Sequence, residues 1–168
     1  MDAPIRIIVV MGPAGAGKTT IGLALAQSLG WRFLDADDFH SPANVEKMRN
    51  GIGLTDDDRA PWLAAMHDAL EQALASATSV VLACSALKES YRRALTPAAA
   101  GSRIRFVYLH ANEAVLRERL AHRTGHYAGP QLLASQLETL EEPRDALWVD
   151  ASRSPAEIVS RIRDALAL

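Results

Sequence analysis

The segment Gly12-Pro13-Ala14-Gly15-Ala16-Gly17-Lys18-Thr19 fits the pattern G-x-x-x-x-G-K-[ST] between an apolar run and a helical one. Glycines at this spacing let the backbone turn successive N–H groups inward, and a helix beginning at the lysine presents the positive end of its dipole. The lysine reaches the outer phosphates and the threonine hydroxyl ligates Mg²⁺. The predicted chemistry is therefore binding of a nucleoside triphosphate by Gly12, Pro13, Ala14, Gly15, Ala16, Gly17, Lys18, Thr19 and the adjoining Thr20. A dinucleotide fingerprint fails, because Thr20 stands where the third glycine of G-x-G-x-x-G would follow Gly15 and Gly17.

Phosphoryl transfer also needs a carboxylate for the metal and an orienting group or base for the acceptor. An acid at the end of the strand predicted over residues 79–84 would be the usual metal partner, but that strand runs into Cys84 and Ser85. The stretch Phe33-Leu34-Asp35-Ala36-Asp37-Asp38-Phe39-His40 offers the replacement. In an extended segment residues i and i+2 point the same way, so Asp35 is assigned to Mg²⁺ and Asp37 to the acceptor, while Asp38 caps or is solvated. The competing reading is a solvated turn with capping aspartates. A GTPase switch is disfavoured, since neither Asn-Lys-x-Asp nor Asp-x-x-Gly occurs in the 168 residues.

These groups must be carried by something rigid. Apolar, β-branched or aromatic runs lie at residues 5–11, 32–34, 79–84, 104–109 and 146–149. Such continuous hydrophobicity marks strands buried on both faces, as in parallel sheets. Helical spacing fills residues 18–29, 43–50, 59–77, 88–95, 112–123, 131–140 and 155–166. Alternating strand and helix implies βαβ crossovers and an α/β fold of three layers, with ligands beyond the carboxyl ends of the strands. Gly12, Asp35, Cys84 and Asp150 all emerge there.

The bulk properties agree with one domain spanning residues 1–168. Lys and Arg number 18 against 20 Asp and Glu, a formal charge of -2, so no global basic field points to nucleic acid. No apolar stretch approaches a membrane span, and the single Cys84 has no disulfide partner within the chain. The expected setting is the cytoplasm, with no membrane or nucleic-acid partner.

The blocks "MGPAGAGKTT", "FLDADDFHSPANVEKMRNGIGLTDDDRAPWL", "CSALKESYRRAL", "FVYLHANEAVLRERLAHRTGHY" and "QLETLEEP" resemble those of thermoresistant-type gluconokinases, over roughly residues 11–143. The stretch from Asp35 to Trp62 discriminates most. The resemblance implies a nucleoside monophosphate kinase-like P-loop fold with a five-stranded parallel sheet, helices on both faces and a mobile lid. It implies ATP-dependent phosphorylation of D-gluconate at its 6-hydroxyl, commonly by a homodimer. It places the paired acids on Asp35 and Asp37, a histidine on His40, and an Asp-Asp-Arg-x-Pro-Trp element on Asp57, Asp58, Arg59, Pro61 and Trp62.

Gluconate is a chain of hydroxyls ending in a carboxylate, which sets what its site must contain. Arg59 is the first choice for the carboxylate because its planar fork suits bidentate pairing, the rival being a salt bridge to one of Asp56 to Asp58. Lys88, sharing a helix face with Arg92, reaches the substrate or transferring phosphoryl, or else is a surface lysine. His40 bonds a sugar hydroxyl or packs beneath the loop, and Lys47 is read as solvated, with a substrate role as the alternative. Arg119 and Arg123 run into Gly125, Gly129 and Pro130, punctuation that predicts a lid at approximately residues 119–130. Closure would bring one or both guanidinium groups onto the phosphates and exclude water, with His126 a lid-borne substrate contact; two ordinary surface arginines are the alternative. The catalytic set is thus Lys18, Asp37, Arg119 and Arg123. The substrate set is Asp37, His40, Arg59, Lys88 and His126, and the metal set is Thr19 and Asp35. Cys84 reads as a small buried residue rather than a nucleophile.

Overall fold

Five strands form one sheet in the order β2-β3-β1-β4-β5: β1 (Ile7–Met11), β2 (Arg32–Asp35), β3 (Val80–Ala83), β4 (Ile104–His110) and β5 (Leu147–Asp150). Every pairing is parallel. The computed structural model describes residues 3–123 and 130–168. The helices are α1 (Lys18–Leu29), α2 (Pro42–Arg49), α3 (Asp56–Ala75), α4 (Glu89–Leu95), α5 (Glu113–Ala121), α6 (Pro130–Thr139) and α7 (Pro155–Leu166).

The central strand β1 explains the layering. All five of its residues are fully buried, and they divide by the period-two alternation of a strand. Ile7, Val9 and Met11 pack with Met66 and Leu70 of α3 and with Leu95 of α4. Ile8 and Val10 pack with Leu25 of α1, Leu116 of α5, Leu133 of α6 and Ile162 of α7. Two apolar cores on opposite faces of one sheet give the three-layer α/β architecture expected from the sequence. Among the described residues no helix is long and apolar enough to cross a membrane.

Local chemistry sets the ends of the elements. Ser154 and Glu157 close a capping box at α7, with Pro155 in its first turn. Gly30 ends α1 in a left-handed conformation. Two differences from the sequence reading bear on the site. Helix α3 starts at Asp56, three residues before the expected 59, because Thr55 and Asp58 form a capping box and Asp56, Asp57 and Asp58 fill the first turn, where negative charge is favoured. Secondly, the chain does not stay extended beyond Asp35: Ala36–Phe39 form a 3₁₀ turn.

Candidate active site

Residues Gly12 to Thr19 connect β1 to α1 at the carboxyl edge of the sheet, and Asp35, Cys84 and Asp150 lie at or just past the ends of β2, β3 and β5. The loop is held tightly from behind. A Cβ on Gly15, whose φ is +84°, would lie 2.8 Å from the carbonyl oxygen of Leu116. Gly17, at φ 93°, is the left-handed N-cap of α1. Only residues without a side chain let this backbone pass so close to α5 and start α1 at Lys18.

A cavity of about 740 Å³ opens beside the loop. Lys18, Asp35, Asp37, His40, Arg59 and Trp62 line it, with Cys84 and Ser85 as further wall residues. The structure thus brings together residues from β2, the 3₁₀ turn, α3 and the phosphate loop that are distant in the chain. Asp35 Oδ2 accepts a hydrogen bond from Thr19 Oγ1 at 2.9 Å. A hydroxyl and a carboxylate oxygen side by side are the hard donors Mg²⁺ selects, and a site with so few protein ligands suits an ion that keeps several waters. The residues present therefore fit the ion.

The relation between the two acids needs correction. Their expected common direction rested on an extended segment, but Asp35 Oδ1 accepts from the backbone N–H of Asp37 at 3.0 Å and curls the chain into the 3₁₀ turn. Asp37 reaches the cavity from that turn. Asp38 is exposed, as expected for a solvated residue.

Lys18 folds back so that Nζ donates to the Pro13 carbonyl at 3.1 Å. Although the residue as a whole is partly exposed, desolvation dominates its titration and lowers its pKa to about 8, opposed first by the negative charge of Asp37. Bound phosphates favour the ammonium form, so nucleotide binding raises this pKa and takes up a proton wherever the free lysine is partly deprotonated. Calorimetric titration with ADP at pH 8.5, in buffers of different ionisation enthalpy, is expected to show net proton uptake and an affinity that falls as pH rises through about 8. Proton-neutral binding at that pH would remove the linkage.

His40 lies flat against Trp62, the ring centroids 4.4 Å apart and the planes 6° from parallel. Burial and then the Arg59 charge lower its pKa to about 4, so the ring is neutral at working pH. Its Nδ1 is buried with no partner among the described residues. An orphaned polar atom on a cavity wall is what a ligand hydroxyl or water would satisfy. Trp62 Nε1 donates to the carbonyl of Ala36 at 2.7 Å, pinning α3 to the peptide between the two acids. Sequence reasoning placed Trp62 in a motif but missed this role, which links residues 26 positions apart.

Arg59 is anchored through Nη1, which donates to the Leu54 carbonyl at 2.7 Å and the Tyr91 hydroxyl at 3.3 Å. Asp56 lies 3.9 Å from the same Nη1, a long contact that leaves the salt-bridge alternative weak. The Tyr91 hydroxyl instead donates a hydrogen bond to Asp56 Oδ1 at 2.5 Å. Lys88 belongs to this network and not to the cavity lining: its Nζ sits 3.3 Å from both carboxylate oxygens of Asp56. The lysine is also the N-cap residue of α4. Lys47, read as solvated, pairs with Asp58 at 2.8 Å. Arg92, expected on the same face as Lys88, is buried and donates to the carbonyls of Ala86, Leu87 and Glu141.

The two arginines, Arg119 in the last turn of α5 and Arg123 just past it, separate. Arg119 Nη2 donates to the Ala151 carbonyl at 2.5 Å, and Nη1 lies 3.5 Å from the carbonyls of Gly15 and Ala16. It lines a second cavity, of about 530 Å³, with Thr20, Ile21, His122, Arg153 and Pro155. Arg123 borders both cavities and is close enough to Lys18 to oppose its protonation. His126 and half of the expected lid, residues 124–129, lie outside the described residues. Burial pushes the Cys84 thiol up to about 12, which removes thiolate chemistry at working pH.

A family profile described as an AAA domain matches residues 7–147. A gluconokinase of Gluconobacter oxydans (strain 621H) is 49% identical over 140 residues, covering 83% of this chain and 78% of that protein. A probable gluconokinase of Mus musculus is 40% identical, with 99% of this chain and 100% of that protein aligned. The chain belongs to the gluconokinase family. A crystal structure of a gluconokinase from Sinorhizobium meliloti 1021 matches it with a TM-score of 0.86 at 47% identity, over 98% of this chain and 94% of that one. The match to the mouse protein extends over 99% of this chain, and so over both the phosphate loop and the paired-acid stretch.

Proposed function

We propose that this protein transfers the γ-phosphoryl group of ATP to the 6-hydroxyl of D-gluconate, giving 6-phospho-D-gluconate and ADP. The observation that carries the reading is a cavity in which Lys18 of the phosphate loop, the acid Asp37 and the cation Arg59 meet. A hydroxy acid spanning that cavity has an anion-binding fork at one end and a carboxylate beside the phosphates at the other. Shikimate phosphorylation is the runner-up within this fold, but Cys84-Ser85-Ala86-Leu87 follows β3 where a glycine-rich turn is expected for that chemistry.

In this reading the loop amides and the α1 N-terminus hold the phosphates, with Lys18 against the outer ones. Thr19 and Asp35 would hold Mg²⁺, which neutralises charge on the phosphate oxygens. Asp37 accepts the proton of the acceptor hydroxyl as its oxygen bonds to phosphorus and the bond to the ADP oxygen breaks. Arg59 pairs with the gluconate carboxylate and His40 Nδ1 meets a hydroxyl of the chain. Arg123 lies nearer the transferring group than Arg119, whose position at the smaller cavity suits the nucleotide's base side. A homodimer working in a reducing cytoplasm completes the reading, in keeping with one buried, unpaired cysteine.

A coupled ADP-release assay over a panel of sugar acids, with shikimate and nucleoside monophosphates as controls, tests it. D-gluconate is expected to be preferred by about 100-fold or more in kcat/KM, the discrimination available to a site that pairs a carboxylate and several hydroxyls. Preference for shikimate or a nucleotide acceptor would overturn the assignment, and ATP binding without turnover of any acceptor would make the protein a binding module.

A further inference from the structure

The bond that reaches furthest along the chain into the phosphate loop comes from α6. The backbone N–H of Ala14 donates to Oε1 of Gln136 at 2.7 Å, across 122 positions. Because a peptide N–H only donates, the carboxamide orientation is settled: oxygen faces the loop, and the two N–H donors of Nε2 face elsewhere. Gln136 is half-buried and lines the 740 Å³ cavity with Lys18, Asp37 and Arg59. Among the described residues nothing accepts a hydrogen bond from its Nε2, although the amide is fixed by its other end. Gln131, Leu132 and Ser135 line the same wall, so one face of α6 forms a side of the cavity.

A carboxamide has a fixed internal geometry, so Nε2 lies within roughly 5 Å of the Ala14 amide when Oε1 accepts from it. This puts a neutral donor beside the loop, where acceptor and γ-phosphoryl must meet. Asp37 is a pure acceptor in its ionised form and Lys18 is drawn to phosphate. Neither supplies a donor to the oxygen of the attacking hydroxyl.

We propose that Gln136 is a further catalytic residue: with Oε1 engaged by the phosphate loop, its Nε2 donates to the acceptor hydroxyl oxygen whose proton Asp37 takes. The hydroxyl is then held from two sides, and its remaining lone pair points at phosphorus. As transfer proceeds, the proton passes to Asp37, the oxygen–phosphorus bond forms and the bond to the ADP oxygen breaks. Gln136 keeps both of its protons throughout. This inference rests on the phosphoryl-transfer reading above and deepens it.

Two variants separate donation from simple bracing of the loop. Gln136→Met keeps the length and removes the amide. Gln136→Glu keeps an acceptor for the Ala14 N–H but has no donor when ionised. Both are expected to lower kcat/KM for D-gluconate by about 30-fold or more at pH 8, the scale of one directed donor, while MgADP affinity measured by calorimetry stays within about three-fold. Relative to wild type, Gln136→Glu is expected to recover as pH falls towards about 5.5, where its carboxyl begins to carry a proton to donate. The proposal is overturned by wild-type turnover in Gln136→Met, by a fully active Gln136→Glu at pH 8, by a flat pH ratio, or by an equal loss of MgADP affinity. The ratio is read on whichever hydroxy acid the wild type phosphorylates, so a wild type inactive on gluconate overturns the substrate assignment alone.

Discussion

The Asp37→Asn variant is expected to lose about 10³-fold in kcat while still binding ATP, because it removes the proton acceptor and preserves the shape of the side chain. The fold should survive, since Asp37 is exposed and the 3₁₀ turn that carries it is held by its backbone N–H and by Trp62. A second signature comes from Lys18. Asp37 is the largest influence holding that lysine's pKa up against desolvation. Its neutralisation should therefore shift the pH-dependent fall in nucleotide affinity to lower pH. Steady-state kinetics with calorimetric ADP binding across pH 7 to 9 checks both. A variant within ten-fold of wild-type turnover would remove Asp37 from the base role.

Arg59→Ala is expected to raise the KM for D-gluconate by about 10- to 100-fold and leave the KM for ATP nearly unchanged, the scale of a charge-assisted pair lost from a partly enclosed site. Its hydrogen bonds run through Nη1 to Leu54 and Tyr91. The rest of the guanidinium fork is left for a carboxylate at the cavity. Arg59→Lys should recover little, because an ammonium cannot keep the Leu54 and Tyr91 bonds while also pairing in two-pronged fashion. Equal effects on both substrates would argue that Arg59 shapes the loop instead of reading the acid.

Much of this was legible in the chain. The phosphate loop is a local device, its glycines, lysine and threonine acting within eight consecutive residues, so pattern and placement suffice. The strands are legible because burial on both faces leaves continuous apolar runs, and β1 is buried at every position. Where the reading slipped, a short polar side chain had captured the backbone. Asp35 curled the segment after β2, and Thr55 with Asp58 started α3 early. Such captures depend on one or two hydrogen bonds and leave no periodic trace.

Side-chain partnership between distant elements was not legible. Lys88 and Arg59 are both cations near the carboxyl edge, yet Asp56 holds one outside the cavity while Tyr91 and Leu54 keep the other on its wall. Arg119 and Arg123 share a helix face in the sequence, but the carbonyls of Gly15, Ala16 and Ala151 draw one of them beneath the loop. Gln136 carries no chemical signal of its own until α6 packs beside Ala14. The layered α/β fold, the phosphate loop and the family could all be read from the chain, because each is written in local spacing or in hydrophobic pattern. Which cations line the cavity emerges only on folding, because that choice is made by carbonyls and carboxylates arriving from other parts of the chain.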